Sequence, residues 1–121
     1  MNYMLLIYDD KQLWGSMSEA ERGQIFGEYG AYTQELRDKG VYVDGDPLQP
    51  TSTATSVRVR DGEQLVTDGP FAETKEQLGG YYIVDVETLD EALEWAGKIP
   101  SARLGTIEVR PVMPVGAEAQ A

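Results

Sequence analysis

The chain has no cysteine and no histidine among its 121 residues. Those two absences exclude a disulfide, a zinc finger, an iron–sulfur cluster, a haem held by His or Cys, and any Ser-His-Asp or Cys-His nucleophilic centre. Acid–base work is left to a carboxylate, a tyrosine, a lysine or a bound water. Basic residues are also scarce: Lys and Arg total 10 against 21 Asp and Glu, a formal charge of -11. Such a chain repels phosphate backbones and anionic lipid surfaces, so neither nucleic acid nor membrane is expected as a partner. Long apolar runs are missing too. The opening Met1 to Tyr8 carries no basic leader and is too short to cross a bilayer, which predicts a cytoplasmic protein.

What is present is globular in composition, 41% hydrophobic and 26% charged. One domain is expected over residues 1–113, followed by a flexible tail over 114–121. Tyr3 to Tyr8 is an apolar run ended by Asp9-Asp10-Lys11, of strand length, with apolar residues on both faces. In so small a domain, helices cover one face of a sheet and the other needs a partner. Ser18 with Glu21 forms a capping-box pattern, and Ile25, Tyr29, Tyr32 and Leu36 then follow on one helical face until Gly40 ends the helix. Val41 to Asp44 reads as an edge strand broken by Gly45 and Pro47.

Val57-Arg58-Val59-Arg60, Asp61-Gly62 and Glu63-Gln64-Leu65-Val66 predict a hairpin with Arg60 opposite Glu63 and Val57 opposite Val66. A loop from Thr67 to Gly79 leads to a strand at Tyr81 to Val86. Thr88 and Glu91 cap a helix with a stripe of Leu89, Ala92, Leu93, Ala96 and Ile99, stopped by Pro100, and a last strand spans Thr106 to Val112. This order of elements predicts an α+β, ferredoxin-like sandwich, an antiparallel sheet with two helices on one face.

The run Thr67-Asp68-Gly69-Pro70-Phe71-Ala72-Glu73-Thr74-Lys75-Glu76-Gln77-Leu78-Gly79-Gly80-Tyr81-Tyr82 resembles the DGPF branch of the YCII-related family. The likeness extends to Tyr3 to Tyr8, the Thr55 to Gly62 hairpin, Leu89-Asp90-Glu91-Ala92-Leu93 and Ile107-Glu108-Val109-Arg110-Pro111. It implies a dimeric α/β barrel in which two ferredoxin-like sheets pack face to face, as in muconolactone isomerases and antibiotic-biosynthesis monooxygenases. It also implies a functional link to sigma factors of the extracytoplasmic-function class. YCII proteins proper carry a His-Asp pair proposed as catalytic, and a chain without histidine does not keep it.

Among residues able to do chemistry, Asp68 leads the long loop. It fits either a general base at the mouth of the sheet or an Asx-turn cap near Phe71, with Phe71 plugging the core. Lys75, one of four lysines, suits an anion or a solvated face. Glu108 and Arg110 alternate with Ile107 and Val109, so they point into a barrel and orient a ligand or pair with each other. Arg58 is open to the same reading. Seven Tyr stand against two Phe. Tyr29 and Tyr32 fit the core, while Tyr8, Tyr81 and Tyr82 flank strand ends and suit a pocket. No spacing of metal ligands, Walker loop or dinucleotide fingerprint is present, so no metal or cofactor is expected. These features point to a homodimeric protein holding a small organic ligand near the Asp68 loop. The alternative is a cofactor-free isomerase or lyase of muconolactone-isomerase type, with Asp68 as base and a Tyr or Arg110 steadying an enolate.

Overall fold

A computed structural model describes residues 1–115; positions 116–121 of the expected tail lie outside the described residues. Strand β1 (Asn2–Asp9) turns Tyr3, Leu5 and Ile7 into the core, Leu5 with no exposure at all. Asp10 then starts a short helix the sequence reading missed, α1 (Lys11–Ser16), by accepting a hydrogen bond from the Gln12 amide at 2.9 Å. Six residues are too few to show helical periodicity, so only this cap announces it. Helix α2 (Glu19–Asp38) opens on the expected Ser18–Glu21 capping box, buries Ile25, Tyr32 and Leu36, and ends before Gly40 at φ +70°.

β2 (Tyr42–Pro47) runs through the two residues expected to break it. Pro47 is tolerated because it ends an edge strand. Gly45 has a packing role instead: a Cβ there would lie 2.6 Å from the Tyr82 ring. β3 (Thr55–Arg60) and β4 (Glu63–Asp68) form the expected hairpin in the expected register, with Asp61 (φ 52°) and Gly62 (φ +80°) both left-handed in the turn.

β5 (Gln77–Asp85) begins inside the segment expected to be loop, because Gln77 and Leu78 pair with Asp9 and Tyr8. α3 (Leu89–Gly97) buries Ala92 and Ala96, with Ile99 just beyond it, but leaves Leu89 and Leu93 about half exposed, so its apolar stripe is narrower than the sequence suggested. A 3-10 turn over Pro100–Arg103 leads to β6 (Thr106–Pro111).

The sheet order is β2-β5-β1-β6, with every neighbouring pair antiparallel, and α2 and α3 cover one face: the α+β, ferredoxin-like sandwich expected. The β3–β4 hairpin stands apart as a two-stranded sheet inserted between β2 and β5. On the sheet face away from the helices lie Met4, Leu6, Tyr8, Leu78, Tyr81 and Ile83, all half-buried. No helix among the described residues is long and apolar enough to cross a membrane.

Candidate functional site

A cavity of about 520 Å³ lies on the helix side of the sheet, between α1, α2, the ends of β1 and β5, and the Leu48–Thr51 segment. Its size suits a small organic molecule. Trp14, Phe26, Tyr29, Tyr42 and Tyr82 bring aromatic rings to it, and Asp9 brings a carboxylate.

Asp9 is placed there by strand pairing. It is the last residue of β1, opposite Gln77, on the same face as Ile7 and Leu5. The α1 turn folds back so that Trp14 Nε1 donates to Asp9 Oδ2 at 2.9 Å. Oδ1 has no hydrogen-bond donor among the described residues. Gly79 leaves room beside it, since a Cβ there would sit 3.2 Å from Oδ1, and Gly105 lets β1 approach so closely that a Cβ would lie 2.1 Å from the Tyr8 carbonyl oxygen. Burial pushes the Asp9 carboxyl above its ordinary 3.8; the Trp14 hydrogen bond opposes this, and the charges of Glu76 and Asp10 add to it.

Two tyrosine hydroxyls flank the cavity. Tyr29 donates to Ser101 Oγ at 2.6 Å, and Ser101 is wholly buried. Tyr82 shares a 2.7 Å hydrogen bond with Thr33 Oγ1. Burial raises the pKa of both phenols above 10, so they stay neutral and available as dipoles. Among the described residues no group of carboxylates has the arrangement of a metal site.

Of the residues singled out from sequence, Tyr82 lines this cavity. Asp68 ends β4, exposed, and its carboxylate takes no hydrogen bond among the described residues. Of the two readings of Asp68, the Asx cap is therefore absent among the described residues, and the turn is held by Gly69 N to Ala54 O at 2.7 Å and Ser56 Oγ to Gly69 O at 2.8 Å. Phe71, expected in the core, is 83% exposed. Arg58 lies exposed on the same hairpin, and Lys75 is exposed between β4 and β5. Tyr8, Tyr81, Glu108 and Arg110 sit on the sheet face away from the helices, where Glu108 and Arg110 form an ion pair and the Tyr81 hydroxyl reaches Asp46 at 3.5 Å. Arg60 stands opposite Glu63 in register but donates to the Val59 carbonyl instead.

Asp9, Trp14 and Thr33 were not singled out. Asp9 passed as the polar end of an apolar strand, and Trp14 lies in the helix that periodicity does not show. The signal that was available is an Asp one residue before a helix N-cap with a Trp five residues on.

The fold is shared with a solved structure of 5-chloro-2-hydroxyhydroquinone dehydrochlorinase (TftG) from Burkholderia phenoliruptrix AC1100, in complex with 2,5-dihydroxybenzoquinone. The TM-score is 0.54 and the identity 16%, over 93% of this chain and 94% of that one. A protein of Rhizobium meliloti (strain 1021), uncharacterized protein R00369, is 38% identical over 114 residues, spanning 93% of this chain and 92% of its own length. The YCII-related domain matches from residue 1 to 116, through every element that frames the cavity, and the chain belongs to that family.

Proposed function

We propose that this protein binds a small, largely apolar organic molecule in the cavity beside α1 and α2, with Asp9 as the acceptor of a hydrogen bond or a proton from it. The observation that carries this reading is the half-buried Asp9 carboxylate, held on one oxygen by Trp14 and free on the other, at the wall of an aromatic-lined cavity. A ring-sized, planar ligand also agrees with the dihydroxybenzoquinone held by the dehydrochlorinase of the same fold. The test is a thermal-shift screen of small aromatic compounds against the parent, Asp9→Asn and Asp68→Asn. Binding lost in Asp9→Asn and kept in Asp68→Asn supports the cavity; the reverse pattern moves the site to the hairpin.

A second reading, a cofactor-free proton-transfer enzyme, is favoured by the raised Asp9 pKa, which makes the carboxylate a better base near neutral pH. Asp9 would take a proton from carbon, a tyrosine hydroxyl would steady the enolate, and Asp9 would return the proton at another carbon.

The same proposal includes a homodimer. Among the described residues no helix lies over the sheet face bearing Met4, Leu6 and Ile83, and the hairpin leaves Val57, Val59, Leu65 and Val66 between 45% and 61% exposed. An isolated two-stranded hairpin is marginal in water, and bare apolar surface of this extent is a mark of association. Light scattering at micromolar concentration should report twice 13.4 kDa.

A further inference from the structure

Asp9 is in no ion pair among the described residues. The acidic groups acting on Asp9 are Asp10 and Glu76, and both push its carboxyl towards the neutral form. Asp46 also borders the cavity, but its carboxylate meets the Tyr81 hydroxyl on the other face of the sheet. One cation lines the cavity, Lys11, exposed on the first turn of α1 and in no ion pair among the described residues. Arg22, the nearest arginine in sequence, spends its guanidinium on the Trp14 and Met17 carbonyls. Lys11 leaves Asp9 unpaired, and a carboxylate partly withdrawn from water without an ion-pair partner carries an unmet desolvation cost. Asp9 Oδ1 takes no hydrogen bond among the described residues, and Trp14, Phe26, Tyr29 and Tyr82 line the same cavity.

An anionic ligand would add a charge of the wrong sign, and a neutral one would leave the carboxylate as it is. A protonated amine supplies the missing charge, donates to Oδ1, and gains from the faces of aromatic rings, whose quadrupoles attract cations. Rings in this chain already take cations: the Arg37 guanidinium lies 4.2 Å from the centre of Tyr42, itself a ring of the cavity wall, and Lys98 Nζ lies 4.8 Å from that of Trp95. The -11 charge of the chain also draws cations towards it before contact.

We infer that the ligand of this cavity is an aromatic or apolar amine, bound as its ammonium, with the nitrogen on Asp9 Oδ1 and the ring among Trp14, Phe26 and Tyr82. This deepens the cavity reading above and rests on it. An amine of the lysine type titrates near 10.4 and arrives charged at neutral pH.

The test uses three probes of nearly one shape and different charge: benzylammonium, benzyl alcohol and benzoate. Dissociation constants are read by chemical-shift changes at the Trp14 indole N–H at pH 7. Benzylammonium should bind at least 10-fold more tightly than benzyl alcohol, and benzoate most weakly. In Asp9→Asn the amine should lose its advantage over the alcohol. Equal or tighter binding of the alcohol or of benzoate by the parent overturns the inference and leaves the cavity reading standing. Absence of binding by all three overturns both. The order of the three probes on the parent decides the matter even if Asp9→Asn fails to fold.

Discussion

Trp14→Phe isolates the contact that ties α1 to the sheet and sets the state of Asp9. The substitution keeps most of the ring and removes the Nε1–H that donates to Asp9 Oδ2 at 2.9 Å. A hydrogen bond to a charged group contributes roughly 1.5–3 kcal/mol, and because both side chains are only half-buried, about 1–2 kcal/mol is the appropriate share. A melting entropy of about 2.1 cal/mol/K per residue over this length makes each kcal/mol worth about 4 °C, so the variant should melt about 4–8 °C below the parent at pH 7.

The pH dependence follows from the sign. The lost bond favoured the ionised carboxylate, so the native Asp9 pKa climbs further above 3.8 in the variant. The deficit is present above that native value and shrinks as pH falls through it, because a protonated Asp9 loses little when the donor goes. Scanning calorimetry from about pH 3 to 8, with Trp14→Phe also placed in an Asp9→Asn background, gives a full cycle. In that background the substitution should cost under about 1 kcal/mol, a neutral hydrogen bond. A melting difference that is the same at pH 3 and pH 7, or undiminished in the Asp9→Asn background, would refute the reasoning.

Other outcomes follow from the same geometry. Asp9→Asn should melt at or above the parent at pH 7, since the ionised carboxylate is the disfavoured form, and the gap should close as acid protonates the parent; calorimetry reads both. Gly105→Ala sets a Cβ against the Tyr8 carbonyl oxygen and should lower stability by more than about 3 kcal/mol in urea unfolding followed by circular dichroism. Leu36→Ala, at a position with no exposure, should cost about 2–5 kcal/mol by the same measurement. Asp68→Asn should shift the melting temperature by no more than about 2 °C, since its carboxylate makes no hydrogen bond among the described residues.

The hairpin was legible to the residue because an Asp-Gly turn is local chemistry: two left-handed positions in sequence set the register of both strands. Helix α2 was legible for a similar reason, with both ends marked by capping residues. The site was not, because nothing local joins its parts. Asp9 takes its place at the cavity because Gly79 of β5 and Gly105, just before β6, allow close approach to β1, and because a six-residue helix returns Trp14 to it. Tyr29 reads as core from its helical spacing, and it is half-buried; only Ser101, 72 residues on, turns its hydroxyl into a fixed dipole beside the cavity. The pull of Asp68 came from a conspicuous loop motif, yet a charged residue in an exposed turn meets only water there.

The hairpin leaves and re-enters the sheet at one spot. Pro47 pairs with Gly80, and the Leu48 amide donates to the Gly79 carbonyl at 2.9 Å, so the chain's detour starts and ends across a single rung. Its own bonds, such as Gly69 N to Ala54 O, close within it. The detour thus leaves every ladder of the main sheet uninterrupted. Its base, Leu48 to Thr51, is at the same time a wall of the cavity. The hairpin and the cavity wall are therefore one continuous stretch of backbone, joined through Leu48 to Thr51.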